Sequence, residues 1–225
     1  MDRERFVEAC RGLGIGLSEE QVDSFAAFEA NLYAANAVMN LTRVAQEDCW
    51  LRHFVDSLLF QDLVPEGASL LDIGTGPGFP AWPLACARPD LRVTALDSSG
   101  KMLGFLRRNP LPNLEIVLAR AEDWGVREQF DVVTGRALAP LPIQLEVSAP
   151  PLKVGGRIVP MRTPGEEDVA KAFPASVLGL RPAGLHRRPL PGTDVVRLFA
   201  VYEKVAATDS VYPRPWAEIK RKPLG

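Results

Sequence analysis

Three cysteines, two histidines and a net charge of only −2 are what this 225-residue sequence has little of, and each shortage removes a class of function. Cys10, Cys49 and Cys86 are widely spaced and form no metal-ligand pattern, so no metal is expected and reduced, buried thiols are. A charge this close to neutral argues against an indiscriminate nucleic-acid binder. No apolar stretch approaches the roughly 20 residues needed to span a bilayer, and Met1-Asp2-Arg3-Glu4-Arg5 lacks the features of a signal peptide. No membrane partner and a cytoplasmic location are therefore expected. Internal repeats are missing too. The 20 prolines fall largely in loops, as at Pro110 and Pro112 or Pro213 and Pro215, which stiffens turns without making a low-complexity tract.

What the chain does have is concentrated between Leu70 and Arg136. The run Leu70-Leu71-Asp72-Ile73-Gly74-Thr75-Gly76-Pro77-Gly78-Phe79-Pro80 predicts a buried parallel strand and a tight turn that opens a helix. Glycines serve where the backbone takes positive φ or a ligand approaches it closely, with the helix-opening amides turned toward that ligand. A dinucleotide fingerprint has G-x-G-x-x-G, and its third glycine position is Phe79 here. With Asp72 two places before the first glycine, the run resembles the S-adenosylmethionine site of class I methyltransferases more than a nicotinamide site.

Three further strands end in polar residues. Leu91 to Asp97 closes on a carboxylate 23 residues beyond Gly74, near the roughly 20 expected of a ribose-binding acid. Leu114 to Leu118 runs into Arg120-Ala121-Glu122, and Phe130 to Thr134 delivers Gly135-Arg136-Ala137. Alone, Asp97 could cap the helix near Ser98 or Ser99, and Glu122 could be a solvated loop acid. Together, at the ends of successive strands, they make a nucleotide-type site. The expected fold is α/β: a Rossmann-like, doubly wound class I sheet of about seven strands with the last antiparallel.

Helical spacing of Val22, Phe25, Phe28, Leu32 and Ala35 predicts an N-terminal helix after Ser18, and a second is predicted over about Glu47 to Asp62. Downstream, a helix near Leu141 to Ala149, a turn at Gly155-Gly156, a strand at Arg157-Ile158-Val159, a helix from Glu166 to Ala172 and strands near Leu180 to Arg187 and Asp194 to Glu203 complete the sheet. The expected organisation is one methyltransferase domain: a helical extension over 1–66, the α/β core over 67–205 and a basic tail over 206–225. Charge divides accordingly, with a net −7 over residues 1–66 and +5 over 67–225.

Asn40-Leu41-Thr42, Arg52-His53-Phe54-Val55-Asp56-Ser57-Leu58, the glycine run, Asp97-Ser98, Arg120-Ala121-Glu122, Arg136-Ala137 and the tail Tyr212-Pro213-Arg214 with Lys222-Pro223-Leu224 come in this order. The pattern resembles the bacterial 16S ribosomal RNA guanine-N7 methyltransferases, formerly called glucose-inhibited division protein B, from about residue 20 to the C-terminus. The H-F-x-D-S-L segment is the specific part, since generic methyltransferases lack it. The resemblance implies S-adenosylmethionine as cofactor, S-adenosylhomocysteine as product, and a guanine in the 530-loop region of 16S rRNA, in the 30S subunit, as target. It implies cofactor binding by Asp72, Gly74, Gly76, Gly78, Phe79, Asp97, Ser98, Ala121, Glu122 and Arg136, catalytic roles for Arg136 and His53, RNA binding by Arg162, Arg214 and Lys222, and a monomer. Two departures stand out. Met161-Arg162-Thr163-Pro164 replaces the family's common Lys-Gly, and Gly135 replaces its common serine before Arg136.

Absences narrow the chemistry as well. No Pro-Cys follows the fourth strand, no Asn/Asp-Pro-Pro-aromatic stands at Thr134-Gly135-Arg136, and no compact acid cluster suggests a magnesium site. Guanine N7 carries a free lone pair and needs no general base. Arginine suits guanine O6, and Arg136 either does this or contacts the cofactor. A nicotinamide-dependent oxidoreductase would need a G-x-G-x-x-G and a hydride-site acid or base, and neither is visible. Two alternatives stay open: methylation of another RNA or a small molecule, and a cofactor-binding ribosome-assembly factor without turnover.

Overall fold

Two capped helices begin the chain, and residues 1–225 are all described by a computed structural model. Asp2 accepts from the Arg5 amide to start α1 (Arg3–Gly12), and Ser18 and Gln21 form a reciprocal capping box at the head of α2 (Glu19–Met39). Helix α2 stops at Asn40, which takes a left-handed conformation. Its apolar stripe is buried as the spacing predicts, with Phe28 stacked on Trp82 at 4.1 Å between ring centroids.

The helix predicted over Glu47 to Asp62 is not continuous. A short tight turn at Gln46–Asp48 leads into a wide π turn over Trp50–Val55, one α turn (α3, Asp56–Leu58) and another tight turn at Gln61–Leu63. The Ser57 hydroxyl donates back to the His53 carbonyl at 2.6 Å, the kind of side-chain bond that competes with the helical ladder. Wide turns of this type often carry functional groups; His53 lies buried in this one, and Asp56 is buried at the start of α3 just after it.

Strands and helices then alternate: β1 (Ser69–Ile73), α4 (Ala81–Ala87), β2 (Arg92–Asp97), α5 (Gly100–Leu106), β3 (Leu114–Leu118), β4 (Phe130–Arg136), α6 (Leu141–Ser148), β5 (Leu152–Arg162), α7 (Glu167–Ala172), β6 (Leu180–Pro189), β7 (Val196–Lys204) and α8 (Trp216–Arg221). The sheet order is β3-β2-β1-β4-β5-β7-β6. Only β7 runs antiparallel, pairing with β5 on one side and β6 on the other, as the sequence led us to expect. One expectation is corrected: Gly155-Gly156 is a bulge inside β5, not a turn before it. The register against β4 slips there between Leu152 and Arg157, and a Cβ on Gly156 would lie 2.8 Å from the Asp131 carbonyl.

Each face of the sheet has its own core. On one, Phe6, Phe25, Phe28 and Phe54 from the N-terminal segment pack with Phe79, Trp82 and Phe105, so residues 1–66 share a core with the sheet. On the other, Leu141, Leu145, Ala170 and Phe173 pack with Ile219 of α8, drawing the C-terminal tail into the body. The sheet's winding reverses between β1 and β4, which places a crevice at their carboxyl ends.

Candidate active site

The turn after β1 is built for backbone exposure at one point. A Cβ on Gly76 (φ +57°) would meet nothing within 4 Å, while its N–H donates to Asp97 Oδ2 at 2.8 Å. Gly74 and Gly78 differ, because there a Cβ would fall 2.6 Å from Leu138 Cδ1 and 2.7 Å from Leu106 Cδ1 respectively. The third glycine (φ +119°) thus answers to packing under Leu106 and Trp82. Gly78→Ala is accordingly expected to cost about 2–4 kcal/mol of folding stability through strain and overpacking. Gly76→Ala, with no packing clash, should cost only the roughly 1–2 kcal/mol of a left-handed non-glycine residue and act also on ligand affinity. Urea titration alongside ligand calorimetry separates the two, and equal stability losses would show that neither turn glycine faces a ligand.

Asp72 lies fully buried beneath this turn. Its Oδ2 accepts from the Ala81 amide at 3.1 Å, whereas Oδ1 and the neighbouring Thr75 hydroxyl have no partner within the protein. Burial pushes the carboxyl up from 3.8 to about 7. The folded form therefore holds a proton that the unfolded chain has released, and stability falls as pH rises between those values. Relative to wild type, Asp72→Asn should gain about 1.4 kcal/mol per pH unit across this window. The gain should be absent below pH 4 and level off above about 7. Melting curves of unliganded protein from pH 4 to 8 check this, and a flat difference would mean an ionised Asp72 throughout.

Beside the turn opens a largely apolar cavity of about 330 Å³ walled by Ile73, Leu96, Leu138 and Ile143, with Ser98, Ala121 and Glu122 on its rim. Asp97 is half-buried at the end of β2, where Oδ1 accepts from the Ser99 amide at 2.7 Å and Oδ2 from Gly76. The carboxylate thus ties the glycine turn to the residue that caps α5: Ser99, not Asp97, is the N-cap, its side chain accepting from the Met102 amide. Glu122 Oε1 receives the Arg120 guanidinium at 2.6 Å, leaving Oε2 without a protein partner. Phe79, expected among the cofactor contacts, is buried elsewhere. Its ring lies under His53, with centroids 4.2 Å apart and planes 6° from parallel, and 5.1 Å from the Arg136 guanidinium.

Across the loop that follows β4 is a second cavity of about 510 Å³, lined by Arg52, His53, Arg136, Arg162, Thr163 and Arg197 among others. Buried Asp56 organises its floor. Arg197 Nε and Nη2 donate to the two Asp56 oxygens at 2.7 and 3.0 Å, and Arg136 Nη1 adds a contact at 3.3 Å. Burial lowers the Arg136 pKa, while Asp56 and Asp72 draw it back up.

Both ring nitrogens of His53 are engaged within the protein. Arg136 Nη2 can only donate, so His53 Nδ1 accepts at 3.2 Å, and Nε2–H points to the Thr42 hydroxyl at 2.7 Å. Burial and then the Arg136 charge push the ring down to about 3, so it stays neutral with its lone pair engaged.

Two expected RNA contacts also sit differently. Arg162 is buried, with Nη2 donating to the Ala139 carbonyl and Nε 3.3 Å from Glu166. It braces the loop between the cavities as well as lining the second. Arg214 is turned inward onto Glu146, whose carboxylate is wholly buried: its amide and Nε donate to Oε1 at 3.0 and 2.8 Å and Nη2 donates to Oε2 at 2.6 Å. That pairing occupies the group expected to meet phosphate. Lys222 is exposed just beyond α8.

Sequence reasoning overlooked Asp56, Arg197, Arg120, Trp216 and Glu146. Asp56 lay inside the H-F-x-D-S-L segment without a role. Arg197 joins it from 141 residues away, and no local pattern signals that pairing.

Known proteins resemble this chain in sequence and in fold. Residues 21–181 match the family model described as rRNA small subunit methyltransferase G. Proteins called ribosomal RNA small subunit methyltransferase G are similar along the whole chain. The one from Lactobacillus delbrueckii subsp. bulgaricus is 38% identical, covering 100% of both chains, and that from Acetivibrio thermocellus is 35% identical over 99% of this chain and 96% of its own. Among solved structures, M. jannaschii TYW2 in complex with AdoMet superposes with a TM-score of 0.52 at 20% identity, covering 63% of this chain and 71% of that one. A Haloferax volcanii methyltransferase solved with the Trm112 activator gives a TM-score of 0.58 at 19% identity, over 80% and 98%. These structures share the fold.

Proposed function

The chain belongs to the rRNA small subunit methyltransferase G family, and from that premise we propose that it transfers a methyl group from S-adenosylmethionine to N7 of a guanine in the 530-loop region of 16S rRNA. The observation that carries this reading is the adjacency of the two cavities. Arg136 and Ala137 line the basic one, and the next residues, Leu138 and Ala139, line the apolar one. A donor and an acceptor held in the two would meet across a single loop.

The residues present fit the cofactor. Gly76 leaves room at the backbone, Asp97 at the end of β2 keeps carboxylate lone pairs that would suit ribose hydroxyls, and Glu122 Oε2 is free for an exocyclic amine on the rim of an apolar slot. When bound, S-adenosylmethionine supplies a sulfonium methyl, an electrophile that requires alignment more than activation. On the acceptor side, Arg52, Arg162 and Arg197 supply positive charge suited to phosphate. Arg136, held by Asp56, His53 and the Arg52 carbonyl, presents a fixed guanidinium suited to the purine O6. N7 needs no deprotonation, which accords with a pocket whose only histidine has its lone pair engaged. Partial neutralisation of Arg136 and Arg197 by Asp56 limits their repulsion of the cation that forms when N7 is alkylated.

The test is methyl transfer from labelled S-adenosylmethionine to 30S subunits and to protein-free 16S rRNA, with the modified base located by cleavage at 7-methylguanosine. The expected result is about one methyl per RNA, at a guanine of the 530 loop. Labelling at another atom or region, or none in either substrate, overturns the assignment.

A further inference from the structure

We infer that Trp216, carried by the C-terminal tail, is a wall of the cofactor site, so that the tail closes over the donor and does not serve only the RNA. The inference rests on reading the 330 Å³ cavity as the adenosine site. Trp216 is half-buried and lines that cavity together with Ile73 at the end of β1 and Leu138 from the loop after β4. The Arg120 guanidinium lies 5.5 Å from its ring centroid and at the same time pairs with Glu122 on the rim. Trp216, Arg120 and Glu122 therefore form one connected edge, with an aromatic side chain lining a largely apolar slot.

A helix of six residues has little stability of its own, so the position of α8 must come from its anchors. Two tie it down just ahead of Trp216 and one just after. Arg127 donates to the backbone carbonyls of Asp209 and Tyr212 at 2.9–3.1 Å. Arg214 is clamped on buried Glu146 of α6, two residues before the indole. Ile219, three residues after it, is fully buried in the core beneath α6. The indole is thereby presented from a fixed backbone, and an aromatic wall of this kind contributes through area and shape without losing much side-chain freedom on binding.

The experiment titrates S-adenosylhomocysteine by calorimetry into the full chain, Trp216→Ala, Trp216→Phe and Asp97→Ala. It also records tryptophan emission during the same titrations and the KM for donor and for 30S subunits. Trp216→Ala should weaken binding about tenfold or more and raise the donor KM by a similar factor, with the 30S KM unchanged. Trp216→Phe should stay within about threefold of wild type. The ligand-dependent change in emission should saturate with the calorimetric Kd in wild type and be lost in Trp216→Phe, a readout that stands even if the alanine variant folds poorly. If Asp97→Ala weakens binding while Trp216→Ala binds like wild type, the cavity is the cofactor site and the tail is not part of it. If Asp97→Ala and wild type bind alike, the reading of the cavity itself is wrong, and the inference falls with it.

Discussion

Replacing Arg214 by Ala should cost about 3–5 kcal/mol of folding stability, because it strands the fully buried Glu146 carboxylate without its charge partner. Three hydrogen bonds from Arg214 converge on that carboxylate, and the amide left behind cannot neutralise it. Urea denaturation measures the loss. Changing both partners, as in Arg214→Ala with Glu146→Gln, should recover a large part of it, since the unpaired charge is then gone. A near-native Arg214→Ala variant that binds 30S subunits with a flatter salt dependence would restore the residue to the RNA surface. Exposed Lys222 is the contrasting case. Lys222→Ala should leave stability within about 0.5 kcal/mol and lower the slope of log affinity against log salt by roughly one unit.

The second large effect is expected at Arg136. Its guanidinium holds Asp56, His53 and the Arg52 carbonyl, lies over the Phe79 ring, and faces the basic cavity. Arg136→Ala removes the cation that, on the proposed function, fixes the purine side of the site, and a loss of at least 100- to 1,000-fold in kcat/KM for 30S methylation is expected, comparable to deleting one preorganised donor elsewhere. Arg136→Lys keeps the charge but cannot span the same three partners, so an intermediate loss should follow. Calorimetry of the cofactor decides between the two roles considered for this residue. A Kd within about threefold of wild type places its effect on the guanine, whereas a parallel loss of cofactor affinity would make it a donor contact. Retained turnover in Arg136→Ala would remove the residue from the mechanism.

The early glycine turn, the acids closing successive strands and the succession of strands and helices were legible in the sequence because each is written locally, while the antiparallel last strand was expected from the fold class. Positive φ favours glycine, a buried parallel strand is a continuous apolar run, and the acids stand directly after the last apolar residue of their strands. The broken helix at Gln46–Leu63 was not legible, since its apolar stripe has helical period while the bonds that widen its turns come from polar side chains folded inward. The roles of charged residues were the least legible. In the sequence Arg136, Arg162, Arg197 and Arg214 are equivalent cations, and Asp56 and Glu146 are ordinary acids. Tertiary structure distinguishes them: buried Asp56 is shared by Arg136 and Arg197 beneath a cavity, Glu146 turns Arg214 inward, and His53 has its proton assigned by a neighbour that can only donate. Backbone geometry depends on neighbours along the chain. The availability and protonation of a side chain depend on its desolvation and on partners that only folding brings near.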